Sequence, residues 1–236
     1  MKSMLLKNVV SWIWLLMICI LGSQNIYAQV IDIHNRDRKV TQTYSISAPD
    51  GYIENHGYVD LGLPSGTKWA ICNVGSDAPE KRGAFISWGE NNKTFPYSIR
   101  NTKLYGERVT SIAGNINYDA ATANWGESWS TPTKGQYEEL FTNCKWEWTK
   151  YNGVLGTKLT SPNGKSIFLP AYGYAEGIYQ NEELSYHSGT GPWCAYWTAT
   201  AESAENACSV HSSVTGACTI YRSKFAGFLI RPVLSK

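Results

Sequence analysis

Residues 125–171 read WGESWSTPTKGQYEELFTNCKWEWTKYNGVLGTKLTSPNGKSIFLPA, and the fold is decided in this stretch. Thr133 is placed as a helix N-cap, and Gln136 three residues on completes a capping box. Tyr137, Leu140 and Phe141 then recur at i, i+3 and i+4, the spacing of a core-facing stripe, while Glu138 and Glu139 fall on the solvent side. The pattern predicts a helix over 134–143. A strand follows over 145–151, where Trp146, Trp148 and the β-branched Thr149 alternate with polar residues. Asn152-Gly153 is a strong hairpin signal, because both positions tolerate positive φ. Residues 154–160 return, Ser161-Pro162-Asn163-Gly164 turns again, and Ser166-Ile167-Phe168-Leu169 reads as a buried strand. One helix therefore feeds a three-stranded meander, with the two tryptophans expected to supply much of its buried area.

The rest of the chain is set around this unit. At 236 residues, with 43% apolar and 17% charged residues, it has room for an export signal and one ordinary domain. The 10 Trp and 15 Tyr against 6 Phe favour rings with one polar edge, which suit cores with wet rims and binding faces alike. At the N-terminus, Lys2 and Lys7 precede an apolar run over 9–21. That run is shorter than the roughly 20 residues of a membrane-spanning helix. It is followed by Ile26-Tyr27-Ala28, so residues 1–28 read as a secretory signal cleaved after Ala28. Its removal leaves 19 basic against 19 acidic groups, since Lys2 and Lys7 are its only charges. A neutral chain without a basic stripe argues against nucleic acid as a partner. No membrane span is expected after cleavage, and the mature chain is expected in the periplasm, on the outer cell surface or outside the cell.

Residues 29–56 are polar and read as a tether, with a weak edge-strand pattern over 40–46 and a turn at Ala48-Pro49-Asp50-Gly51. The domain is expected over 57–236. It opens with strands at 58–61 and 67–70 around a Leu63-Pro64-Ser65-Gly66 turn, then a short strand at 85–88. A short helix over 119–124 has Asp119 placed to cap it and Gly126 to end it. Trp88-Gly89-Glu90 and Trp125-Gly126-Glu127 both read as a core Trp followed by a turn. Four strands close the chain, at 193–200, 207–214, 217–222 and 228–233.

Between meander and last strands, residues 172–192 carry Gly173, Gly177, Gly189 and Gly191 and read as a long irregular loop, a common place for function. Tyr172, Tyr174, Tyr179, Tyr186, His187 and Trp193 cluster in or beside it, with Glu182 as a carboxylate among them. Aromatic rings beside short polar residues can stack on sugars or present a protein-binding patch, or simply pack the loop down. The adjacent carboxylates Glu182-Glu183 and Glu138-Glu139 face different ways on any regular element and make poor acid–base pairs.

Five cysteines follow the signal: Cys72, Cys144, Cys194, Cys208 and Cys218. The export signal permits disulfides, and the odd count leaves at least one thiol over. No Cys-x-x-Cys occurs, against a zinc ribbon or thioredoxin-type site, and clustered calcium ligands are not found. Cys208 and Cys218 flank a hairpin expected to centre on Ser213, which would bring them within disulfide reach, about 5.5 Å between Cα atoms. Cys194 is then the odd thiol. Cys194 with His187, or Cys208 with His211, could form a thiol–imidazole pair, but nothing in the sequence supplies an orienting group or oxyanion hole.

A set of motifs resembles a known family. It comprises Tyr58-Val59-Asp60-Leu61-Gly62-Leu63-Pro64-Ser65-Gly66-Thr67-Lys68-Trp69-Ala70, Cys72-Asn73-Val74-Gly75, Ser87-Trp88-Gly89-Glu90, Trp125-Gly126 with Trp129, Pro132-Thr133, and Cys144 with Trp146 and Trp148. Asn163-Gly164, Ser166-Ile167-Phe168-Leu169-Pro170-Ala171 and Arg231-Pro232-Val233 complete it. The set is similar to the major paralogous domain first named from Fibrobacter succinogenes and abundant in exported Bacteroides-type proteins. That family looks similar to the C-type-lectin-like superfamily. The resemblance spans about 57–233. It implies an α+β domain with two short helices, antiparallel sheets, paired first and last strands, and a long loop region. Cys72 and Cys144 stand at family-like positions, either as a disulfide or as two buried thiols. Members often carry Arg-Met before the Pro-Thr; here it is Ser130-Thr131. The Glu-Pro-Asn, Gln-Pro-Asp and Trp-Asn-Asp triplets of calcium-dependent lectins are absent, so neither metal nor cofactor is carried over.

The resulting expectation is an exported, non-catalytic binding or adhesion module that recognises carbohydrate or protein at the cell surface through 172–193. The alternatives are a cysteine-dependent enzyme like the formylglycine-generating oxidases, whose short C-terminal Cys-to-Cys spacing is missing here, and a structural component of a surface appendage.

Overall fold

A computed structural model of the chain describes residues 45–92, 96–180, 183–188 and 193–234, with backbone only at 177–180 and 183–188. The expected signal segment and most of the expected tether lie outside the described residues. Among the described residues no helix is long and apolar enough to cross a membrane.

The central stretch folds as its local signals dictate. The first helix, α1, is Ala120–Trp125, capped by Asp119 and ended by Gly126; the second, α2, is Lys134–Asn143. Both bonds of the α2 capping box are present: Gln136 N–H donates to Thr133 Oγ1 at 3.3 Å, and Thr133 N–H donates to Gln136 Oε1 at 2.8 Å. Tyr137 and Leu140 are buried and Phe141 packs beside them. Thr133→Ala is expected to cost about 1 kcal/mol, the usual worth of an N-cap, read as a lower urea midpoint at unchanged slope. Glu139 departs from its expected solvent position: its carboxylate accepts from the Ser65 N–H at 2.7 Å and the Ser65 hydroxyl at 2.5 Å, holding the first hairpin's turn against the helix.

After α2 come β6 (Lys145–Tyr151), β7 (Val154–Thr160) and β8 (Ser166–Pro170), paired in chain order. Asn152 and Gly153 have φ of 47° and 82°, the left-handed pair that a two-residue hairpin turn requires. The burial is distributed differently from the expectation. All five residues of β8 are buried, whereas Trp146 and Trp148 are only half-buried at the rim of the core.

The chain ends meet in a second, five-stranded sheet. Its strands are β1 (Gly51–Ile53), β2 (His56–Asp60), β3 (Lys68–Ala70), β15 (Val233–Leu234) and β5 (Trp129–Ser130), in that spatial order. Val59, Trp69 and Val233 stand in register across three neighbouring strands, so the first and last parts of the sheet pair directly. The residues expected as tether thus contribute β1 to this sheet.

A third sheet is the meander β11 (Trp193–Ala201), β12 (Asn206–Ser213) and β13 (Gly216–Ser223). A fourth joins β4 (Ile86–Ser87), β14 (Gly227–Phe228), β9 (Ala175–Gln180) and β10 (Glu183–Ser188). The region expected as an irregular loop therefore holds an antiparallel hairpin, with Tyr179 opposite Leu184 and Tyr186 opposite Gly177. Its glycines hid the alternation, and β9 is held by Gly227 of β14 pairing with Ala175, a contact no local pattern announces. The last expected strand is split in two at 229–232, where Leu229 bridges to Tyr196.

β11 partitions the core. Cys194 and Tyr196 face one cluster, with Trp69, Tyr137, Leu169 and Val233; Ala195, Trp197 and Ala199 face the other, with Trp88, Trp125, Trp129 and Phe228. Alternate side chains of one strand thus serve two cores. Three charges are fully buried, and among the described residues none is paired with an opposite charge. Asp119 accepts from the N–H groups of Gly114, Ala121 and Thr131 and from the Thr131 hydroxyl. Lys224 donates to the carbonyls of Leu104, Glu107 and Ala204. Arg231 donates to the carbonyls of Ala70, Ile71 and Phe168 and to Asn73 Oδ1. Backbone dipoles take the role that counterions play elsewhere.

Candidate functional site

Arg231 leads to the site. Its Nε bond of 2.8 Å fixes Asn73, whose Nδ2 in turn donates to the Arg82 carbonyl at 2.9 Å. Asn73 is thereby the buried post of a loop over 74–83. Val74 N–H reaches Ile230 O, and Ala84 N–H returns to Val74 O, each at 3.0 Å, closing the loop at its neck. Gly83 has φ of 78°, and a Cβ there would collide with the Val74 carbonyl, so the neck admits only glycine. The loop presents Ser76, Asp77, Lys81 and Arg82 to solvent.

Facing it is the start of β2. The β1–β2 turn is Glu54-Asn55, both with positive φ (51° and 66°) although neither is glycine. Such a conformation costs of order 1 kcal/mol and persists where the surroundings enforce it. It brings the Glu54 carboxylate over Gly126, where a Cβ would collide with it, and sets His56 flat on Trp125, with ring centroids 3.8 Å apart and planes at 6°. Trp129 meets Trp125 edge-on at 5.2 Å and anchors its own N–H on Ile53 O at 3.2 Å. Burial pushes the His56 pKa down, against a smaller upward pull from Glu54.

These elements border an open cleft of about 660 Å³ lined by His56, the 75–77 and 81–83 segments, Trp125 and Tyr172. The volume lies within the roughly 300–1,000 Å³ of small-ligand sites. In it Lys81 pairs with Asp77 at 2.7 Å, and the Arg82 guanidinium lies 5.0 Å from the ring centre of Phe85. A second cavity of about 530 Å³ is lined by 108–110 and 201–205 and has no aromatic wall.

Of the residues singled out from the sequence, the three with described side chains divide between the two core clusters. Tyr172 joins one core cluster and lines the cleft; Tyr174 and Trp193 pack with the other. Tyr174 stacks on Phe228 at 5.2 Å, with Arg222 over its ring at 5.8 Å. Trp193 is half-buried, and its indole N–H has no partner among the described residues. Tyr179, Tyr186 and His187 lie on the β9–β10 hairpin, described by backbone alone, and Glu182 lies outside the described residues. The cleft residues His56, Asp77, Lys81 and Arg82 were missed. The available signal was Asp77-Ala78-Pro79-Glu80-Lys81-Arg82, a dense charge cluster between two glycines.

Of the two cysteine pairings, Cys208 with Cys218 does not fit the strand register, and Cys72 and Cys144 follow the alternative of two buried thiols. All five described thiols are free. The β12–β13 hairpin centres between Val214 and Thr215, not on Ser213, so Cys208 faces Tyr221 and Cys218 faces His211. The two cysteines stand three register positions apart and point to opposite faces. Cys72 and Cys144 belong to different core clusters. Cys208 and His211, three apart on one strand, likewise face opposite ways, so they form no nucleophile pair. Burial pushes the Cys72, Cys194 and Cys208 thiols up, and Cys144 to about 11. An activated thiolate needs the reverse shift. Among the described residues no group of three or more His, Cys, Asp or Glu is placed to hold a metal ion.

No family model, curated protein or solved structure matches the chain.

Proposed function

We propose that the chain is an exported cell-envelope binding or adhesion module, built on a C-type-lectin-like domain of the major paralogous type, which recognises carbohydrate in the cleft beside Tyr172. The fold part of this reading is supported by the pairing of β3 with β15, by two short helices, and by antiparallel sheets joined through non-consecutive strands. The binding part rests on one observation: half-buried rings of His56 and Tyr172 share a cleft with Ser76, Asp77, Lys81 and Arg82. Sugars present alternating apolar faces and hydroxyl edges, and a site with flat rings beside fixed polar groups matches both. The upward-shifted thiols weigh against the cysteine-dependent enzyme alternative. A protein partner is the second reading, favoured by Tyr52, 65% exposed on the edge strand β1.

A glycan array with the full chain tests the first reading. Tyr172→Ala is expected to weaken the bound glycans about tenfold, or about 1.4 kcal/mol, while Trp193→Ala leaves them unchanged. Absence of any glycan signal from the wild type would sink the carbohydrate reading in favour of a protein partner.

A further inference from the structure

Resting on the carbohydrate reading above, we propose that the cleft is built for an acidic saccharide, with Arg82 receiving the sugar's anionic group while its ring lies against His56 and Tyr172. The charges facing the cleft are Asp77, Lys81 and Arg82. Lys81 is engaged by Asp77 at 2.7 Å, so these two cancel within the loop. Arg82 is not cancelled: among the described residues no carboxylate lies within ion-pair distance of it. Its one side-chain hydrogen bond runs from Nε to Gly83 O at 3.4 Å, which leaves the terminal nitrogens open. A guanidinium with both terminal nitrogens open matches a carboxylate or sulfate in two parallel hydrogen bonds.

Arg82 is exposed but has support from the fold. Its guanidinium carbon lies over the Phe85 ring, 5.0 Å from the ring centre, and Phe85 is itself buried. Its carbonyl is bonded to the fully buried Asn73, and the next residue is the glycine that closes the loop neck. A cation whose backbone is fixed and whose guanidinium rests over a buried ring loses less freedom on binding than one on a free loop, so it contributes to affinity.

The test is titration calorimetry of the full chain with three probes of equal length: an oligogalacturonate, its neutral methyl ester, and a sulfated oligosaccharide. The wild type is expected to bind an acidic probe at least tenfold tighter than the ester, with the advantage shrinking as salt rises. The comparison of oligogalacturonate with the sulfated probe tells carboxylate from sulfate. Arg82→Gln should abolish the preference, its loss for the acidic probes exceeding its loss for the ester at least tenfold, and Tyr172→Ala should weaken acid and ester equally. Equal wild-type affinity for acid and ester, or a preference that survives Arg82→Gln, would overturn the acidic assignment and leave the carbohydrate reading standing. Failure to bind any of the three, together with an empty glycan array, would overturn the reading beneath it.

Discussion

Arg231→Met is expected to lower the unfolding free energy by about 4 kcal/mol, measured by urea denaturation. The guanidinium is fully buried and carries four hydrogen bonds, to the carbonyls of Ala70, Ile71 and Phe168 and to Asn73 Oδ1. Removing it leaves those acceptors in a dry interior, at about 1–3 kcal/mol for each one left without a partner. Relief of the cost of burying a cation offsets part of this, which is why the expected net loss is well below the sum. The three carbonyls lie in β3, just after it, and in β8, so the residue ties the end-pairing sheet to the meander. A loss under about 1 kcal/mol would mean that desolvation cancels the bonds and that the knot does not hold the fold. Asn73→Ala is a local version. It should cost less, but by releasing the Arg82 carbonyl it should also blur the preference for acidic probes.

Acidification is expected to destabilise the protein through His211. Burial, with the Arg222 charge adding to it, pushes this imidazole down to about 3 from an ordinary value of 6.5. Its ring packs against Phe228 at 5.6 Å and Tyr174 at 6.5 Å, and its Nε2 has no partner among the described residues. The folded chain therefore keeps His211 neutral where the unfolded chain takes up a proton. The stability it preserves is complete above pH 6.5 and is lost progressively as pH falls from 6.5 toward 3. At about 1.4 kcal/mol per pH unit, the wild type should lose about 3 kcal/mol more than His211→Phe between pH 7 and pH 4. Parallel stability–pH curves for the two proteins would show that the imidazole is hydrated and titrates normally. Asp50, held below its usual value of 3.8 chiefly by its hydrogen bond from Lys165, loses its contribution only at lower pH, and it cancels between the two proteins.

What could be read along the chain was local. The α2 capping box, the Asn152-Gly153 turn and the Asp119 cap each act over a few residues, so their residue types announce their geometry. The β9–β10 hairpin escaped because glycine-rich strands carry little alternation and β9 is held by β14, about 50 residues away. The cysteine pairing failed on register: moving the hairpin centre from Ser213 to the Val214–Thr215 pair sends Cys208 and Cys218 to opposite faces. Of the aromatic residues expected to form a ligand face, the fold sends Tyr172 to the cleft and turns Tyr174 and Trp193 to the other core cluster.

The two helices, the central meander and the turns follow from residue order, because each is settled by hydrogen bonds and φ preferences within one short segment. The tertiary structure alone decided the partition of the core by β11, the three buried charges and the cleft. Arg231 meets Asn73 across 158 residues, and Trp129 reaches Ile53 across 76. No local pattern encodes such contacts, since whether a charge is buried among carbonyls or left in water depends on what the rest of the chain brings to it.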